Sequence, residues 1–209
     1  MTHLFLIRNG ETAWNAEGRY QGQANPELNQ RGVEQAKRVA EALRGIEFDA
    51  AYTSDLDRAH STAEILSQDG MWIVSDSRWR ELSFGEWEGK RFEEIAELDS
   101  VRLREWVKDP IASPPPGGES LKELSDRVLS AAIELCEEYP NGNVLVITHG
   151  GPIRCLVAEL VLGDLRRMSE VQTEPGSITV LGVERADNDL GWKAQIMHFA
   201  ATAGGAQIA

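Results

Sequence analysis

Cysteine is nearly absent: Cys136 and Cys155 are the only two in 209 residues. They form no CxxC pair, which excludes a disulfide framework, a thiolate zinc site and a dithiol redox motif. Both stand in stretches of helical periodicity and read as small buried apolar side chains. Long apolar runs are also missing. No stretch approaches the roughly 18 residues of a membrane span. Met1 to Ile7 has no basic segment leading into a long apolar one, so no signal peptide is expected and the expected compartment is the cytoplasm. Basic residues are the minority, 21 Lys and Arg against 34 Asp and Glu, for a net charge of −13 and a pI of about 4.8. Such a balance offers no broad basic face to nucleic acid or to an anionic membrane. It also sets a condition on any anionic ligand, because positive charge must then be gathered locally.

What is present fits one α/β domain over residues 1–209. Hydrophobic residues make up 42% and charged residues 26%, ordinary for a globular chain able to bury a core without metals or disulfides. Leu4-Phe5-Leu6-Ile7 is a short apolar run stopped by Arg8-Asn9-Gly10, a strand that ends in a loop. A polar segment from Arg19 to Asn29 follows. Asn29 caps a helix in which Val33, Ala36, Val39, Ala40 and Leu43 recur at helical spacing until Gly45. Ala50 to Thr53 reads as a second strand, with Ser54 or Asp55 capping a helix to about Leu66, and Trp72-Ile73-Val74 as a third strand.

Two short helical patterns lie between Phe92 and Val107. Pro110 to Gly118 holds four of the eight prolines and reads as a surface loop. Glu119 to Tyr139 is a long amphipathic helix. Val144 to Ile147 is continuously apolar, as in a strand covered on both faces. A helix from Ile153 to Leu162 and strands at Ser177–Val183 and Trp192–Met197 follow, and Ala200–Ala209 reads as a mobile tail. The alternation implies a three-layer α/β/α sandwich with a mostly parallel central sheet.

In such sheets ligands gather at the carboxyl ends of the strands. Two strands end suggestively, one in Arg8-Asn9-Gly10 and one in Thr148-His149-Gly150-Gly151. If they are neighbours, a guanidinium, an imidazole and a helix N-terminus converge on one spot, a natural phosphate site.

Leu6-Ile7-Arg8-Asn9-Gly10-Glu11-Thr12 resembles the Arg-His-Gly motif of the histidine phosphatase superfamily, with Asn9 replacing the histidine. The resemblance continues through Arg19-Tyr20-Gln21-Gly22, Leu28 to Gly32, Ser54 to Ala59 with Thr62-Ala63, Arg80 to Gly89, Gly117 to Ser120 and Val146 to Gly151. It spans about residues 3 to 199 and looks like the phosphatase branch of this phosphoglycerate-mutase-like family. The resemblance implies that Arg8, Arg58 and His149 hold the transferred phosphoryl group, with hydrogen bonds from Asn15 and the Gly150 amide. It implies that Glu81 is the general acid, although Glu86 and Glu88 stand close in sequence. Residue 9 is the nucleophile position. No metal or cofactor is implied, and the expected partner is a small phosphorylated metabolite or inorganic phosphate. A homodimer is compatible with the sequence. His3, His60 and His198 match no motif and read as structural.

Asn9 changes the chemistry. Its amide nitrogen donates a hydrogen bond but has no lone pair with which to attack phosphorus. Retention of Arg58, Glu81 and His149 favours a phosphatase with its nucleophile substituted, so that a bound complex is trapped, over a natural phosphate-binding pseudoenzyme. The rival activity is a phosphoglycerate mutase. Phe84, Trp87, Phe92 and Trp106 fall in the segment expected to form the pocket mouth, although aromatics at that spacing are more often core.

Overall fold

The computed structural model describes residues 1–67 and 71–200. One six-stranded sheet has the order β3-β2-β4-β1-β5-β6. Its strands are β1 (Thr2–Arg8), β2 (Ala50–Thr53), β3 (Ile73–Ser75), β4 (Asn143–Thr148), β5 (Ile178–Arg185) and β6 (Trp192–Ala200). The first four in chain order run parallel to one another where they pair, and β5 and β6 join antiparallel. The short helix α1 (Ala13–Ala16) follows β1. Helices α2 (Gln30–Ala42) and α3 (Asp57–Leu66) cover one face; α6 (Leu121–Glu138) and α7 (Gly150–Leu160) cover the other. Helices α4 (Phe92–Leu98) and α5 (Ser100–Lys108) form an outlying pair.

Strand pleating explains the three layers. Leu4, Leu6, Val144 and Val146 pack with α6 and α7, whereas Phe5, Ile7, Leu145 and Ile147 pack with α2 and α3. Successive side chains point to opposite faces, so a strand buried on both sides reads as an unbroken apolar run. Pairing of β1 with β4 sets Arg8 opposite Thr148. The loops after the two strands therefore open at the same edge, as their endings suggest.

Several expected boundaries move. Neither Ser54 nor Asp55 caps α3: its N-cap is Leu56, with no side-chain cap. Asp55 is drawn instead to Arg80, at 2.5 and 2.7 Å. Trp72 is 84% exposed and lies outside β3, an edge strand of three residues that pairs only with β2. Helix α7 starts at Gly150 and not at Ile153, because Pro152 fits a first turn, where its missing N–H costs nothing. Strand β6 runs to Ala200, and the rest of the expected tail lies outside the described residues. Cys136 and Cys155 are buried as expected, and burial pushes both thiols up to about 12.

The loop after β1 is fixed by contact with the start of α2. A Cβ on Gly10 would lie 2.4 Å from the carbonyl oxygen of Gly32, and one on Gly32 would lie 2.1 Å from that of Glu11. Backbone thus meets backbone where no side chain fits. Gly10→Ala should cost roughly 1–3 kcal/mol, by analogy with overpacking. That corresponds to several degrees in Tm for a chain of this length, and thermal unfolding followed by circular dichroism checks it.

Candidate active site

A cavity of about 1200 Å³ opens at the carboxyl edge of the sheet, and Arg8, Asn9, Asn15, Arg58, Glu81 and Gly150 all line it. Six of the seven sequence-nominated residues therefore share one space. The seventh, His149, lies directly behind Asn9, 1% exposed, with Nδ1 3.0 Å from Asn9 Oδ1 and Nε2 2.8 Å from Ser54 Oγ.

Each side chain has a local reason for its position. Asn9 ends β1: its backbone N–H bonds Thr148 O and its side-chain Nδ2 donates to Gly10 O at 2.8 Å. Its Oδ1 is thereby turned toward His149, so His149 donates from Nδ1 and accepts at Nε2 from the Ser54 hydroxyl. Burial, with Arg58 and Arg8 nearby, holds the His149 pKa well below the usual imidazole range, so the ring is neutral at pH 7. Asn15 accepts at Oδ1 from the Thr12 backbone N–H (3.1 Å) and donates its own backbone N–H to Thr12 Oγ1 (3.2 Å) inside a capping box, while the Thr12 hydroxyl donates to Gln21 Oε1 (2.7 Å). That leaves Asn15 Nδ2 to donate into the cavity. Gly150 supplies the first amide of α7, a position for which the helix provides no internal acceptor.

Arg58 is 1% exposed on α3 and is aimed by two carbonyls of the loop after α1, Ala24 O at 2.8 Å and Gly22 O at 2.7 Å. Burial lowers its pKa to about 10, which leaves it charged at neutral pH. Arg8 donates to Thr173 O, and burial lowers its pKa as well.

Glu81 is held by the N-terminus of α7. Its carboxylate accepts from Gly151 N (3.0 and 3.2 Å) and Leu82 N (2.9 Å). A Cβ on Gly151 would fall 2.0 Å from Glu81 Oε1, so only glycine admits the carboxylate there. The backbone leading to Glu81 is clamped by Arg127, which donates to the carbonyls of Arg78, Arg80 and Glu81 and pairs with Glu119. Glu88 lies elsewhere, accepting from Gln23 N and Phe84 N, and neither it nor Glu86 lines the cavity.

Of the aromatics, Trp87 is core, packed with Ile95 and Leu103. Phe84 and Trp106 join Tyr20 in an edge-to-face cluster and line the cavity. Phe92 is half exposed and outside it. Sequence reasoning missed Ser54 as the partner of His149, Arg127 as the clamp, and Arg154 in the cavity wall. Of these only Arg154, four residues after Gly150 on one helix face, was open to discovery by spacing.

Convergent guanidinium groups, amides and one carboxylate at the carboxyl edge of an α/β sheet describe an anion site of the phosphate-ester type. The chain matches the histidine phosphatase superfamily (branch 1) over residues 4–194 and belongs to that family. A curated relative in Escherichia coli, named "Probable phosphoglycerate mutase GpmB", is 39% identical over 163 residues, covering 77% of this chain and 75% of its own. Among solved structures, an alpha-ribazole phosphatase from Shigella flexneri superposes with a TM-score of 0.83 at 28% identity, over 93% of this chain and 95% of its own. A phosphoserine phosphatase from Entamoeba histolytica in complex with 3-phosphoglyceric acid gives 0.81 at 29%, over 97% and 98%.

Proposed function

We propose that residues 1–209 form one metal-independent, cytoplasmic phosphomonoesterase of small phosphorylated metabolites, whose chemistry runs through a phosphohistidine at position 9. With Asn9 there, the chain binds phosphate and does not turn it over. The observation that carries this reading is the single cavity shared by Arg8, Arg58, Asn15, the Gly150 amide and Glu81, with residue 9 at its floor. Phosphoryl transfer spreads charge over three equatorial oxygens, and positioned cations and amides stabilise it. A histidine nucleophile would take the phosphoryl group while Glu81 protonates the leaving oxygen; Glu81 would then draw a proton from the attacking water. Asn9 provides no nucleophile, so the sequence stops at binding.

Inorganic phosphate should therefore bind the chain as it stands. A charge-assisted hydrogen bond contributes roughly 1.5–3 kcal/mol, so Arg58→Ala should weaken phosphate at least about tenfold in calorimetry. Equal affinity with and without Arg58 would remove that residue from the site. A second reading, phosphoglycerate mutase, is supported by the name of the 39% identical relative. It requires that 2,3-bisphosphoglycerate stimulate phosphate exchange in the Asn9→His protein.

A further inference from the structure

The cavity carries more positive charge than a phosphate needs. Six basic side chains line it, Arg8, Arg19, Arg58, Lys108, Arg154 and Arg166, against the acids Glu81 and Asp109, in a chain whose net charge is −13. Some of that charge is already paired: Arg19 bonds Glu17 at 2.6 Å and Arg166 lies 3.5 Å from Asp164. Arg154 is different. It is only partly exposed, its Nε is wholly buried, and among the described residues its guanidinium makes no hydrogen bond or ion pair. Among the described residues the other arginines whose guanidinium has no partner, Arg38, Arg91 and Arg104, are exposed, as is the unpartnered Lys108 of the cavity lining.

A desolvated donor without an acceptor is costly, and buried polar groups are almost always satisfied. Because Arg154 lines the cavity, its unpaired guanidinium is placed to take a partner from whatever fills that space. Its place on α7 says which part of the ligand that is. Gly150 and Arg154 are four residues apart, about 6 Å along the axis, and lie on one helix face. Helical side chains lean toward the N-terminus, so the guanidinium reaches back toward the phosphate end, close enough for its charge to disfavour protonated Arg8. Leu121 and Leu165, both buried, also line the cavity, and no hydrogen bond or ion pair joins Arg154 to the lining acids Glu81 and Asp109.

We infer that Arg154 is a specificity-determining residue that binds a second anionic group, a carboxylate or a second phosphate, joined by a short spacer to the ester oxygen of the substrate. This rests on the phosphomonoesterase reading and names its substrate class as doubly anionic. Charge supports it: when Glu81 is protonated to act as the acid, a phosphate dianion offsets Arg8 and Arg58 and leaves Arg154 uncompensated.

The test uses calorimetry on the full chain with matched pairs: phosphoserine against phosphoethanolamine, 3-phosphoglycerate against glycerol 3-phosphate, and 1,3-propanediol bisphosphate against propyl phosphate. The doubly anionic member of a pair should bind about tenfold tighter or more. The first two pairs report a carboxylate and the third a phosphate. Arg154→Met should erase the preference while inorganic phosphate affinity changes by no more than about threefold; Arg154→Lys, which keeps the charge but not the fork, should restore part of it. Absence of any preference in the parent, or a preference that survives Arg154→Met, overturns the assignment. If inorganic phosphate binds to none of the proteins, the phosphomonoesterase reading itself fails. Phosphate binding without discrimination strikes Arg154 alone.

Discussion

Asn9→His should raise phosphomonoesterase activity by on the order of 10⁴ or more, the scale on which removal of a covalent nucleophile acts. The geometry around residue 9 supplies the reason. Asn9 Nδ2 donates to Gly10 O at 2.8 Å, and an imidazole in the same rotamer would put Nδ1–H there. That bond would fix the tautomer and leave the Nε2 lone pair directed at the cavity. The other amide atom, Oδ1, accepts from His149 Nδ1. In histidine its place is taken by Cδ2–H, which accepts nothing, so the His149 donor would be released toward a phosphate oxygen. One substitution thus supplies the nucleophile and frees a second ligand for phosphate. Activity should persist in EDTA, and a rapid quench should capture a phosphoryl adduct on residue 9 that is acid-labile and base-stable, as expected of a phosphoramidate. A folded but inactive Asn9→His protein would sink the hydrolase reading and leave a phosphate-binding protein.

The parts of this site that were legible in the sequence share a property: each sits at the end of a regular element or in a contiguous motif. Arg8 and His149 follow apolar runs, and their convergence required only that β1 and β4 be neighbours, a condition the sequence left open and the sheet meets. Glu81 was separable from Glu86 and Glu88 by motif alone. Its physical reason, a carboxylate lodged on the amide of Gly151, depends on a contact across 70 residues. Ser54 carried a helix-capping signal, but its oxygen accepts from Leu56 N, the N-cap residue itself, while its proton goes to the buried imidazole of His149. Local capping propensity is worth about 1 kcal/mol, and leaving a fully buried ring nitrogen unsatisfied costs as much or more. Arg127 read as one more polar position on an amphipathic helix. Nothing in its spacing announces three carbonyls of a distant loop. The misses are therefore tertiary hydrogen bonds that override local preference, and they concentrate where the chemistry is held in place.

Glu81→Gln, made in the Asn9→His background, should lower turnover of an alkyl phosphate such as glycerol 3-phosphate by about 10²–10⁴, the usual range for a positioned general acid. Turnover of p-nitrophenyl phosphate should fall far less. The contrast follows from the leaving group. An alkoxide is too basic to depart unprotonated, whereas p-nitrophenolate departs with little help. Glutamine is a sound probe because the carboxylate is held by acceptor contacts alone, from Gly151 N and Leu82 N. The Gln Oε1 keeps the two shorter bonds, from Leu82 N and Gly151 N, and loses only the 3.2 Å contact of Gly151 N with the second oxygen, so the side chain stays in place without its acidic proton. In the parent, protonated Glu81 keeps one oxygen on the Gly151 amide and presents its O–H to the ester oxygen, a division of labour that glutamine's amide N–H reproduces in shape but not in acidity. Arg127, clamped on the Glu81 carbonyl at 3.0 Å, holds the backbone through either substitution, so a structural collapse should not mimic the result. Equal slowing of both esters would show that Glu81 is not the leaving-group acid. Because neither Glu86 nor Glu88 lines the cavity, the proton would then have to come from Asp109, the other acid of the lining, or from water.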